Sequence, residues 1–244
     1  MRAGFAAALA VAASGCGIGD RAPGRPAPDS QVPRPDKVTS FAVLYAANCA
    51  GCHGAEGKGG AALALQDPLY LTLADDGIVR RVVGKGVPGT AMPAFAQSAG
   101  GMLTDAQVEA IVAGIRAWAR PDASQGVELP PYAARVAGDA KRGSSVYAAY
   151  CSSCHGANGR GGERASSIVD GSFLALVSDQ SLRTTVIVGR PDLGAPDFRG
   201  DAPGHAMSSD EVSDVVAWLS AQRPQVAGQP YPAAARAGNE GGGQ

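Results

Sequence analysis

Two short stretches hold most of the residues able to do unusual chemistry. They are Cys49-Ala50-Gly51-Cys52-His53 and Cys151-Ser152-Ser153-Cys154-His155, both C-x-x-C-H. Of the chain's five cysteines and three histidines, these stretches take four and two. Two thiols at this spacing can add to the two vinyl groups of one haem, and the adjacent imidazole can supply an axial nitrogen to its iron. Two intervening residues let both sulfurs reach one macrocycle while the next side chain turns beneath it. A redox disulfide or half a zinc site would not call for a histidine directly after both pairs. Each pair is also followed by Gly-Ala-x-Gly-(Lys/Arg)-Gly-Gly. These residues predict two covalently bound c-type haems.

A haem that only cycles between two oxidation states is well served by a neutral thioether on its other face. Being soft, sulfur favours the ferrous state and raises the potential. In the first half Met92 fits, in Pro88-Gly89-Thr90-Ala91-Met92-Pro93-Ala94-Phe95. A Gly- and Pro-rich loop precedes it and Pro93 stiffens the chain on its far side; Met102, without such a loop, is the other methionine there.

The second half offers two registers. Matching Pro196-Asp197-Phe198 to Pro93-Ala94-Phe95 puts Ala195 at the ligand position, 40 residues from His155 where Met92 is 39 from His53. Matching Pro203-Gly204-His205-Ala206-Met207 to Pro88-Gly89-Thr90-Ala91-Met92 makes Met207 the ligand. The repeated Pro-Gly-x-Ala-Met selects Met207. His205 is the alternative ligand, and an open iron is the third outcome.

These residues must be positioned by elements that occur twice. Leu44-Tyr45-Ala46-Ala47-Asn48-Cys49 matches Val146-Tyr147-Ala148-Ala149-Tyr150-Cys151, and Val83-Gly84-Lys85 matches Val188-Gly189-Arg190. Such self-similarity makes the chain two copies of one small domain. Each copy is expected to end in an apolar helix, over 105–118 and 209–220. Thr104 with Gln107 and Ser208 with Glu211 have the spacing of capping boxes, and Leu103/Val108 and Met207/Val212 that of hydrophobic staples. Aromatic residues are only 5% of the chain, thin for two cores; a haem in each would supply the missing bulk.

On these residues each half resembles a class I cytochrome c domain. The shared features are an aromatic four residues before C-x-x-C-H, a glycine-rich stretch, a methionine loop and a closing helix. The resemblance implies an all-α fold of two tandem domains, each wrapping one haem, and electron transfer as the function. Gly143 matches a small residue common in the family's first helix; Phe41 replaces it in the first half. Gly114 likewise stands where the second half has Trp218.

The fifth cysteine comes after Arg2 and a short apolar, alanine-rich run. That run is too short to span a bilayer but has the layout of an export signal. Ala13-Ser14-Gly15-Cys16 resembles a bacterial lipoprotein box, departing from it only at the first position. The organisation expected is a signal peptide over 1–15, a Pro-rich tether over 16–37 beginning at a lipidated Cys16, domains over 38–119 and 139–222, a linker over 120–138 and a flexible tail over 223–244.

Other chemistries find little support. Gly84-Lys85-Gly86-Val87-Pro88-Gly89 matches G-x-G-x-x-G, but a proline interrupts it and a dinucleotide site needs a strand before it and a helix after it. Without residues 1–15, 20 basic residues face 22 acidic ones, which argues against nucleic acid as a partner. No Ser-His-Asp set can be assembled with only His205 to spare. The expectation is a lipid-anchored dihaem carrier, or a subunit of a membrane respiratory complex, on the periplasmic side of a bacterial membrane. Its partners would be a redox protein donor and acceptor. The alternative is a dihaem peroxidase-like oxidoreductase with an open second haem.

Overall fold

A computed structural model describes residues 32–120, 124, 126–200 and 205–224. The chain divides after Pro35, and the α-helices and both C-x-x-C-H stretches lie in the unit beginning at Asp36. The signal peptide, Cys16, most of the tether and most of the tail lie outside the described residues.

Local chemistry sets the helix starts. The first half runs α1 (Phe41–Asn48), α2 (Ala50–His53), α3 (Pro68–Leu73), α4 (Asp76–Lys85) and α5 (Asp105–Arg116). The second half repeats this order as α6 (Ala140–Tyr150), α7 (Ser152–His155), α8 (Gly171–Leu176), α9 (Asp179–Val188) and α10 (Ser209–Ser220). The Asp67 carboxylate accepts from the Leu69 and Tyr70 N–H groups at 2.9 and 3.0 Å, and Pro68 opens α3 where a missing N–H costs nothing. Asp170 caps α8 in the same way. No β-strand occurs among the described residues, only isolated bridges such as Ala96–Leu103 and Arg190–Ala195. The fold is all-α.

Both closing helices carry the expected capping boxes. Thr104 N–H donates to Gln107 Oε1 at 3.0 Å and Gln107 N–H to Thr104 Oγ1 at 3.3 Å. Ser208 and Glu211 exchange the same pair of bonds at 2.8 and 3.2 Å. The staple residues Leu103, Val108, Met207 and Val212 are all buried. Helix α5 ends at Arg116, two residues short of the expected 118, because Trp118 leaves the helix through a tight turn onto the Ile115 carbonyl.

The two sequence departures, Phe41 and Gly114, prove to be one exchange. Helix α1 crosses α5, and α6 crosses α10. In the second pair the backbones nearly touch: a Cβ on Gly143 would lie 2.0 Å from the Asp214 carbonyl oxygen and 2.8 Å from Trp218 Cβ. In the first pair the large residue sits on the opposite helix. A Cβ on Gly114 would lie 2.0 Å from Phe41 Cδ2, so the Phe41 ring occupies the space that Gly114 leaves. A tryptophan ring covers the equivalent glycine in each half. Trp118, just past the end of α5, lies against Gly57, and Trp218, inside α10, lies against Gly159. Phe41, Tyr45 and Trp118 then form a mutual cluster with centroids 5.3–5.4 Å apart, while Tyr147 stacks on Trp218 at 4.2 Å.

The halves dock on one another. Helix α3 packs against α9, and buried residues of both halves belong to one apolar cluster. Arg190 donates from Nη2 to the Gly60 carbonyl at 2.7 Å, and the Gly59 N–H donates to Asp192 Oδ2 at 2.8 Å. Arg190 and Asp192 also pair with each other at 2.9 Å, their side chains only 12% and 8% exposed. Part of the connecting segment is pinned as well. Arg183, 2% exposed, donates to the Pro131 carbonyl, to Ser213 Oγ and to Ser209 Oγ at 3.0–3.1 Å.

Candidate haem sites

Helices α1 and α2 form a nearly continuous rod broken at Cys49, whose N–H donates to the Tyr45 carbonyl while its own carbonyl accepts from His53 N–H. This joint sets Cys49, Cys52 and His53 on one turn. Helices α6 and α7, broken at Cys151, do the same for Cys151, Cys154 and His155. All four thiols are free. Burial, with the neighbouring thiol's charge adding to it, pushes Cys49 and Cys151 up to about 11.

The imidazoles are held in one tautomer. His53 Nδ1 lies 2.8 Å from the Leu63 carbonyl oxygen, and His155 Nδ1 lies 2.8 Å from that of Ser166. A carbonyl only accepts, so Nδ1 carries the proton and Nε2 keeps its lone pair for a metal. Burial holds His53 below its ordinary value, and the Arg190 guanidinium acts in the same direction against the Leu63 bond. The neutral ring is the form a metal needs. Two thiols and one imidazole with a free, oriented nitrogen, present twice, fit a covalently attached haem in each half.

A tyrosine in each first helix fixes the chain just beyond the histidine. Tyr45 Oη donates to the Gly54 carbonyl at 2.8 Å, and Tyr147 Oη donates to that of Gly156. Burial pushes Tyr45 up to about 12, so the phenol remains a donor. The sequence showed these as matching aromatics without assigning them a role. The Leu63 and Ser166 carbonyls left no sequence signal, because any residue supplies one. Nor did the Arg190–Asp192 clasp, whose partners Gly59 and Gly60 lie 130 or more residues away.

The backbone settles which register relates the two methionine loops. Helices α4 and α9 are closed by Gly86 and Gly189, with φ of 65° and 68°, a region that favours glycine. Gly189 therefore answers to Gly86 and not to Gly84, which lies inside α4, as the match of Val83-Gly84-Lys85 to Val188-Gly189-Arg190 had it. The next residue in each, Val87 or Arg190, donates its N–H at 3.0 Å to the carbonyl of Met92 or Ala195. Phe95 N–H donates to the Val83 carbonyl, three residues before Gly86, and Phe198 N–H to that of Ile187, two before Gly189, so both rejoin the end of the same helix within one residue. Leu103 N–H donates to the Phe95 carbonyl at 2.7 Å and Met207 N–H to the Phe198 carbonyl at 2.9 Å. Ala195 thus stands on Met92, and Met207 on Leu103. The repeated Pro-Gly-x-Ala-Met, on which the match of Met207 to Met92 relied, is not the structural register, because the glycine anchor and these backbone bonds fix Pro-x-Phe instead.

The surroundings of the candidate ligands differ accordingly. Met92 is half-buried in its loop, with its N–H donating to Thr90 Oγ1, whereas Met102 is 82% exposed. Met207 is 6% exposed, like Leu103, and belongs to the apolar core. His205 lies on the surface. Its Nε2 is 3.0 Å from Tyr150 Oη and 3.3 Å from Glu211 Oε1. The G-x-G-x-x-G match straddles the C-terminus of α4, the wrong end of a helix for a phosphate.

A family model described as cytochrome C oxidase, cbb3-type, subunit III matches residues 36–113 and again 138–219. The chain belongs to this family. As a member of the cbb3-type subunit III family it has two tandem cytochrome c domains, carries two covalent c-type haems and transfers electrons. No curated protein matches it. Among solved structures it is similar to the Kuenenia stuttgartiensis reducing HAO-like protein complex, at 18% identity and a TM-score of 0.43 over 79% of this chain and 100% of that one. It is also similar to thiosulfate dehydrogenase from Marichromatium purpuratum, at 19% identity and a TM-score of 0.31 over 88% of this chain. It spans about half, 52%, of that second protein. No helix among the described residues is long and apolar enough to cross a membrane.

Proposed function

We propose that this dihaem cytochrome is a membrane-tethered electron carrier, or a subunit of a respiratory electron-transfer complex, working on the periplasmic side of a bacterial membrane. Cys49 and Cys52 would hold one haem and Cys151 and Cys154 the other through thioethers, and His53 and His155 would each give its iron an imidazole nitrogen. In the first domain Met92 would add a thioether sulfur. When bound, each haem supplies one-electron exchange at its iron. The chain's own contribution is to bind, orient and tune. The Leu63 and Ser166 carbonyls fix the imidazole tautomers, and Tyr45 and Tyr147 brace the turns beyond them.

The observation that carries this reading is the docked pair of equivalent thiol-and-imidazole sites. The clasp formed by Arg190 and Asp192 joins the loop beside the second site to Gly59 and Gly60, a few residues beyond His53. A soluble redox donor and a separate acceptor could then each face one domain. Lipidation of Cys16, with the Pro-rich segment after it, would give the pair reach from the membrane surface. Fractionation of cells expressing the full chain tests the tether. The wild type is expected in the membrane fraction and Cys16→Ser in the soluble one; equal partitioning of both rejects lipid anchoring.

A further inference from the structure

The second domain lacks the loop methionine of the first, and the residue standing in its place has a chemical consequence. Ala195 receives the same 3.0 Å bond from the residue after the helix-ending glycine as Met92 does, and it precedes the same Pro-x-Phe turn. A methyl group cannot ligate iron. The other donors among the described residues of this loop are otherwise engaged. Asp192 is paired with Arg190 and bonded to the Gly59 N–H. Both Asp197 oxygens are taken by Arg199, at 2.9 Å from Nε and 2.6 Å from Nη2. His205 lies between Tyr150 and Glu211 on the surface, and Met207 fills the staple position at the start of α10.

We infer that the second haem, which the dihaem reading of the chain assumes, is left without a protein ligand on its distal side and binds a small exogenous ligand there: a neutral diatomic in the ferrous state or a small anion in the ferric state. Binding adds one donor bond to the iron and requires no oxidant or reductant. The first haem, closed by Met92, does not compete for the ligand. The two domains therefore divide the work, one built only to exchange electrons and the other also open to a small molecule.

The test uses the full-length, haem-loaded protein, with haem per chain counted by the pyridine haemochrome method. Carbon monoxide added to the reduced protein is expected to shift the spectrum of half the haem. Ala195→Met should abolish that binding. Met207→Leu and His205→Ala should each leave it unchanged, and Met92→Ala should extend it to all the haem. With both haems present, no binding of carbon monoxide by the wild type overturns the inference. In that case, binding gained by Met207→Leu or by His205→Ala identifies the residue that closes the site. Ferric electron paramagnetic resonance gives a second readout, with a high-spin signal from half the iron expected. A count of fewer than two haems refutes instead the dihaem reading on which the inference rests.

Discussion

The exchange of bulk between Phe41 and Gly114 can be tested by a single methyl group. Gly114→Ala places a Cβ 2.0 Å from Phe41 Cδ2 and 2.1 Å from Cγ, so the ring or the helix must move. Overpacking of this kind costs about 1–3 kcal/mol. Against it, alanine is favoured over glycine within a helix by about 1 kcal/mol, and position 114 lies inside α5. The net effect in the wild-type background is therefore a loss of roughly 0–2 kcal/mol. In a Phe41→Ala background the clash is gone and only the helical gain remains, so the same change should stabilise by about 1 kcal/mol. The coupling between the two sites should thus be about 1–3 kcal/mol, read from a double-mutant cycle. Guanidinium unfolding of the four haem-loaded proteins, monitored by far-ultraviolet circular dichroism, measures it. If Gly114→Ala has the same effect in both backgrounds, the ring does not fill the glycine's space and the account of this crossing is wrong.

Two further outcomes are expected. The Asp214 carboxyl is held below its usual value, chiefly by hydrogen bonds from Arg142, with the Asp139 N–H bond also acting to lower it. A depressed native value means that its stabilisation is complete above the unfolded carboxyl value of about 3.9 and drains away as pH falls through the native one. Asp214→Asn should therefore lose stability relative to wild type at pH 6 to 7, with the gap closing as the pH falls below the unfolded carboxyl value of about 3.9, in unfolding curves taken across that range. Arg183→Met should destabilise the second domain by about 1–3 kcal/mol, since it removes the donor that now serves the Pro131 carbonyl and the Ser209 and Ser213 hydroxyls. Limited proteolysis should also speed up within residues 120–138, because the Pro131 carbonyl loses its anchor.

The features legible in the sequence were the local ones. The two capping boxes depend on residues three apart, and both are formed. The thiol pairs and their histidines lie within five residues, so their chemistry was legible at once. The helix over 209–220 was read to its last residue, whereas the one over 105–118 was overrun, because Trp118 answers to Phe41, Tyr45 and Gly57 rather than to helix propensity. The same limit explains the methionine loops. The repeated Pro-Gly-x-Ala-Met pointed to Met207, but register is fixed by bonds from Val87 and Arg190 to Met92 and Ala195, and by the helices those loops must rejoin. Phe41 and Gly114 read as two unrelated departures because their partnership crosses 73 residues. The clasp between the domains was invisible for the same reason.

The measurement that bears most directly on the central claim is an optical redox titration of the intact, haem-loaded chain. Two one-electron steps of equal amplitude are expected, separated because in the proposed ligation Met92 serves only one iron. Met92→Ala should lower the higher step and leave the lower one in place, as a thioether favours the ferrous state. A single step accounting for all the haem, or two steps that Met92→Ala leaves unmoved, would contradict the account.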